Sequence, residues 1–329
     1  MKVALYGNGL AGGGAEGTVT LVAREFLVAP ATFTRAGATG TRFNANVALE
    51  VMGANVPRFD FGRDLIYRGQ LSELSRINLF LNSGAPVTQG ITLPAAVHTV
   101  SFWGTGSVTL SGAATGTLNG TGALNRVTLT FTPSAGVVTF TLAGAVEWPQ
   151  VEAGPYASSY TPTGGAATTR DADVATISGA AFASIWNPLA GSMLSVTRKM
   201  ADETASLFPR IWDANDGTTN NRLSGFYATA ANTVGIGPVL GGVSVGTASA
   251  SIVETARSAV GMSWDAANLS IAVNGAAPVN AAATGLPTVN QLHIGHFLTG
   301  SQLGGWIERL IYVPRRMSPN ELRAWSASA

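Results

Sequence analysis

The stretch IWDANDGTTNNRLSGFY, Ile211 to Tyr227, gathers the residue types that could recognise a sugar. A pyranose offers an apolar face that an aromatic ring can cover, and hydroxyls that Asn, Asp or Arg can bind. Trp212, Asp213, Asn215, Arg222 and Tyr227 supply those types around a polar hairpin connection and are the candidate glycan-binding residues. Trp212 also reads as a core residue. The same stretch opens like a calcium loop, with Asp213, Asn215, Asp216 and Gly217, but Ser224 stands where the acidic twelfth ligand belongs. A turn held by its own Asn and Asp side chains is therefore favoured over calcium, and no cofactor is expected.

Other chemistry is less well provided for. Glycoside hydrolysis needs two carboxylates converging on one sugar bond. Of Asp202, Glu203, Asp213, Asp216, Glu254, Asp265 and Glu308, no two lie two or four residues apart on one expected strand face within an apolar frame. No catalytic residues are assigned. His293 and His296 are an odd number apart, so on a strand they would face opposite ways and no metal site is expected from them. Gly7, Gly9 and Gly12 spell a dinucleotide-binding fingerprint, but Gly13, Gly14 and Gly17 follow where a helix should run, which favours a flexible or threading segment.

The elements that must position such residues are strands. Only 11% of the 329 residues are charged, 40 are Gly and 46% are hydrophobic, a turn-rich profile able to build β cores. A net charge of +1 provides no basic field, so nucleic acid and anionic membrane are excluded as partners. There is no cysteine, and neither an export signal nor an apolar run long enough for a membrane span is read, so membrane insertion is not expected.

Composition divides the chain into an amino-terminal attachment or threading segment (1–82), a small antiparallel β-sandwich (83–160), a linker (161–173) and a larger module (174–329). In the small sandwich, Val108 and Leu110, then Val127, Leu129 and Phe131, then Val138, Phe140 and Leu142 alternate between Gly, Asn and Pro-Ser turns. LSELSRINLFLN fits helical and strand spacing alike, with extended backbone preferred. In the larger module, Val260, Met262 and Trp264 face Leu269, Ile271 and Val273 across Asp-Ala-Ala-Asn, a hairpin. WIERLIYV is apolar on both faces, as a central strand covered on both sides would be. After it, Ser318, Pro319 and Glu321 form a capping box, Met317 and Leu322 a hydrophobic staple, and the short helix must dock through Leu322 and Trp325.

Three stretches resemble phage tail fibre or tail-spike-like structural proteins. TFTRAGATGTRFNANVALEVMGANVPRFDF with SRINLFLNS is similar to their amino-terminal signature, and QVEAGPYASSYTPT looks like the exit of their jelly-roll module. LSIAVNG, LHIGHFL and GGWIERLIYVPRRMSPNELRAWS look like the closing half of a concanavalin A-like or laminin-G-like domain. The resemblance implies an all-β fold, a small antiparallel β-sandwich followed by a concanavalin A-like jelly-roll sandwich ending in a short helix. It implies a non-enzymatic virion protein of a tail or surface appendage, a homotrimer, joined to other virion proteins through its amino-terminal segment and attaching to host surface glycan. The alternatives are a structural or decoration protein without a ligand and a glycan depolymerase.

Overall fold

The computed structural model describes residues 17–201, 208–228, 232–298 and 300–329. The glycine fingerprint at Gly7, Gly9 and Gly12 and the Asp202-Glu203 pair lie outside them. The described chain is nearly all β, with two helices, neither long and apolar enough to cross a membrane.

The small sandwich forms where the alternation places it. Gly122–Phe131, His98–Gly104 and Val146–Ala153 make one antiparallel sheet; Gly116–Asn119, Ser107–Gly112, Gly136–Ala143 and Gln89–Leu93 make the other. Val100 and Phe102 meet Val108, Leu110, Val138 and Phe140 in a closed core. Because side chains alternate across a strand, Thr99, Ser101 and Trp103 leave His98–Gly104 on the opposite face, and that face is also buried.

The larger sandwich packs two sheets around one core. One sheet runs Phe26–Leu27, Val19–Ala23, Gly305–Val313, Ala190–Lys199, Ser258–Asp265, Asn268–Val273, Val279–Ala282, with Tyr67–Ser72 and Phe59–Phe61 also attached. The other is built on Thr233–Leu240, Arg222–Tyr227, Arg210–Asn215, Gln291–Ile294 and Val174–Ser178. The expected hairpin pairs Val260 with Val273 and Trp264 with Leu269. Gly305–Val313 is central: Leu310 and Tyr312 enter the inter-sheet core, while Val313 lies under the carboxy-terminal helix, Pro319–Ser328. That helix starts at the capping box, Ser318 accepting from the Glu321 N–H and Glu321 from the Ser318 N–H, and docks Leu322 and Trp325 against Val196 and Ala272.

The amino-terminal stretch is built into this sheet. Val19–Ala23 pairs with residues 310–312 and Tyr67–Ser72 with residues 305–307, so the two strands share one edge of Gly305–Val313. Gly69 permits it, because at φ +114° a Cβ there would lie 2.4 Å from the Ile307 carbonyl oxygen. Thr32–Thr34 extends the opposite sheet beside Val174–Ser178. Residues 161–173, expected as a linker, are likewise ordered: Thr168–Arg170 pairs with Arg76–Asn78, and the Thr161, Arg170 and Asp173 side chains are buried. Thr163 and Arg170 donate to the Phe80 and Leu74 carbonyls, while residues 164–167 stay exposed.

Arg35, Arg58, Glu73, Arg170 and Asp173, each no more than 2% exposed, meet at the centre of these segments. Arg58 donates to Glu73 at 2.6 Å and to Asp173, Arg35 reaches Asp173 at 3.3 Å, and Arg170 lies 3.7 Å from Glu73. Ser159 adds N–H and hydroxyl donors to Glu73, both at 2.7 Å. Burial works to raise the Glu73 carboxyl, but Arg170, Arg58 and the Ser159 bonds overcome it and hold the group down to about 2.

Two outcomes follow. Glu73 is depressed below its unfolded value of 4.5, so its contribution is complete above that value and is lost as pH falls from 4.5 through about 2. Glu73→Gln should cost about 3 to 5 kcal/mol at neutral pH, the range for breaking a buried pair, and flatten this acid limb in denaturant titrations; an unchanged limb would contradict the network. At the helix, Ser318→Ala should cost about 1 kcal/mol and Trp325→Ala about 3 or more. Equal, negligible losses would mean the helix is not docked.

Candidate functional site

Four of the five expected glycan-binding side chains are buried. Trp212 is a core residue, packed 5.4 Å from Trp264 and so close to Gly225 that a Cβ there would stand 2.3 Å from the indole nitrogen. Tyr227 is wholly buried, with the Lys199 ammonium 5.4 Å over its ring. Asp213 accepts from the Ser224 hydroxyl and from the Asn215 amide at 2.8 Å, and Arg210 lies 3.4 Å away; burial pushes its carboxyl up to about 6 against those bonds. Asn215 also accepts from the Gly217 N–H at 2.9 Å and the Gln291 amide at 2.7 Å. Arg222 is half-buried, donates to the Thr219 carbonyl and lies 5.2 Å over Phe297. These side chains hold the hairpin and present no open aromatic face. Asp216 does the same locally, accepting from the Thr218 N–H and hydroxyl.

The histidine expectation is corrected. His293 and His296 do not diverge; their rings stack at 4.5 Å and 15°. The strand ends at Ile294 and Gly295 turns the chain at φ +76°, so strand parity stops applying. The His296 ring nitrogens face the Ala175 and Leu298 carbonyls, and His293 Nδ1 accepts from the Leu298 N–H. Burial, with the neighbouring His296, pushes His293 down to about 4. Among the described residues no group of three or more His, Asp or Glu side chains is arranged to hold a metal ion.

A cleft of about 660 Å³ opens instead where the three parts of the chain meet. The outer face of the small sandwich supplies Trp103, Arg126 and Thr128. The amino-terminal hairpins supply Arg42, Phe43, Asp60, Arg63 and Arg68. Residues 155–160 form a further wall, and Trp306 comes from the larger sandwich. Under this surface Phe43, Phe61, Trp103 and Tyr160 form a separate buried cluster. Trp103 meets Phe43 edge-on at 5.9 Å, and Trp148 stacks on Tyr160 at 5.9 Å.

Arginines lie on these rings. Arg126 sits 4.5 Å over Trp103, Arg63 5.0 Å over Trp148, and Arg68 5.4 Å over Trp306. A guanidinium stacked in this way keeps its in-plane N–H edge for ligand oxygens. Among the described residues, three of the four arginines lining the cleft have carboxylate partners: Arg42 with Glu50 at 2.9 Å, Arg68 with Asp64 at 3.1 Å, and Arg63 with Glu147 at 3.5 Å. Asp60 accepts from the Phe43 N–H at 2.8 Å and the Trp306 indole N–H at 3.0 Å, while burial pushes its carboxyl up to about 6. Leu124 and Asn125 stand exposed at the rim. Such a surface can bind hydroxyls and anionic oxygens and cover a small apolar patch.

The sequence held one signal of this site, the preference for Arg over Lys, since Arg is the cation that stacks on aromatic rings. Its members come from positions 41 to 306 of the chain, and no local spacing joins them.

No family model and no curated protein matches the sequence. Solved structures similar to part of it include the CBM40 of the Ruminococcus gnavus IT-sialidase, with 15% identity, 44% of this chain and 86% of that chain covered, and a TM-score of 0.37. Others are the leech intramolecular trans-sialidase, at 12% identity, 47% and 26% coverage and a TM-score of 0.38, and the NanB sialidase of Streptococcus pneumoniae, at 12%, 45% and 26%, and 0.35.

Proposed function

We propose that this chain is a non-enzymatic glycan-binding protein of a phage virion, a tail fibre or spike-like component that holds host surface glycan in the arginine- and aromatic-lined cleft. The observation that carries this reading is the cleft itself, with guanidinium groups stacked on tryptophans around a volume that accommodates one or two sugar rings. The resemblance of the TFTRAG, SRINLFLNS and SSYTPT stretches to tail fibre proteins supports the virion setting. It also implies a homotrimer joined to other virion proteins through its amino-terminal part, in which three weak sites would act together on a dense polysaccharide. Binding is favoured over hydrolysis because, among the described residues, the carboxylates at the cleft are engaged: Asp60 by two internal donors, Asp64 by Arg68 and the Ile66 N–H.

Filling the cleft tests the reading. Asn125→Trp and Thr128→Trp each place an indole at the cleft and should weaken binding to a glycan array at least tenfold. Thr218→Trp, on the exposed turn of the Trp212–Tyr227 hairpin, should bind as the unmodified chain does, and the saccharides should be recovered uncut. Undiminished binding by both folded cleft variants, or release of shortened saccharides, would overturn the proposal.

A further inference from the structure

We infer that the cleft selects a saccharide bearing a carboxylate, and that Arg126 is the residue that receives it. The inference rests on the cleft being the glycan site. Among the described residues, Arg126 is the one arginine lining the cleft with no carboxylate within 4.0 Å. Its protein acceptors are neutral: the Ser158 carbonyl and the Ser101 hydroxyl, the latter at 2.9 Å. Burial presses its guanidinium down to about 10, with the more distant Glu152 and Glu73 opposing that shift.

Those two carboxylates are committed elsewhere. Glu152 accepts from the Ser158 N–H at 2.8 Å, the Ser158 hydroxyl at 2.6 Å and the Gln150 amide at 2.6 Å. Glu73 is taken up by Arg58 and Ser159. Neither can turn to Arg126 without abandoning a buried set of bonds. Among the described residues, then, a cation stacked on Trp103 and facing a cleft has no counterion, and an anion from solution supplies it.

The charge of that anion is bounded by its neighbours. Asp60 and Asp64 line the same cleft, so a dianionic phosphate would meet two carboxylates, whereas one negative charge is balanced by Arg126. A carboxylate carries that single charge and presents two coplanar oxygens to the guanidinium fork. Sialic and uronic acids share this chemistry.

Calorimetric titration with paired probes separates the cases. The full chain is titrated with 3′-sialyllactose and with a hyaluronan tetrasaccharide, against lactose and the carboxyl-reduced tetrasaccharide, and against a sulfated lactose. At least one acidic probe should bind ten or more times tighter than its neutral partner, with affinity falling as salt rises. Arg126→Gln should abolish that difference and Arg126→Lys should keep part of it, with folding of both checked by circular dichroism. Equal affinity for acidic and neutral partners, equal affinity for the sulfated probe, or an acid preference that survives Arg126→Gln would overturn the inference. In each of those cases saccharide is still bound, and the cleft as glycan site stands. Failure of every saccharide, neutral ones included, would overturn the reading of the cleft and this inference with it.

Discussion

Burying an ionised side chain costs several kcal/mol unless partners replace its water, and five meet between the two sandwiches. Arg35, Arg58 and Arg170 face Glu73 and Asp173 with almost no solvent contact. Each member's charge is compensated by the others. Arg58 needs both carboxylates, and Glu73 needs the arginines and the Ser159 donors to stay ionised. Residues 35, 58, 73, 159, 170 and 173 must therefore arrive together, which draws the amino-terminal hairpins, the exit of the small sandwich and the entry to the larger one to a single point.

The cleft is a consequence of that convergence. Ser159 bonds to Glu73 and its neighbour Ser158 bonds to Glu152 and to Arg126, so the wall at residues 155–160 is tied to the network on one side and to the cleft on the other. Asp60 lies two residues beyond Arg58 and receives the Trp306 indole, which ties the amino-terminal strand Phe59–Phe61 to the larger sandwich at the cleft. Hydrophobic packing holds each sandwich together internally, and the cleft walls are joined both by these polar, directional bonds and by the Phe43, Phe61, Trp103 and Tyr160 cluster beneath them.

Local order was legible in the sequence. The hairpin from Val260 to Val273, the alternating strands of the small sandwich, the doubly covered strand before Pro314 and the capped helix after it all follow from spacing over a few residues. What depends on distant partners was not. Arg35 and Asp173 are 138 residues apart, and nothing near either one announces the pair. Residues 161–173 read as a linker because Thr and Gly are also what a loop in water would carry. The Trp212–Tyr227 stretch looked like a sugar site because Asp, Asn and Arg serve equally well as turn-forming residues, and burial rather than residue type separates the two uses. The stretches that resemble tail fibre proteins supply Arg35, Arg58 and Ser159, so the resemblance lies partly on the network.

A crystal structure of the full chain soaked with the acidic oligosaccharide that binds most tightly would decide the central claim. The expected result is a saccharide in the cleft, its carboxylate within about 3 Å of the Arg126 guanidinium, a normal charge-assisted distance, with the Arg58, Glu73 and Asp173 contacts unchanged. Saccharide bound along the Trp212–Tyr227 hairpin with the cleft empty would contradict it.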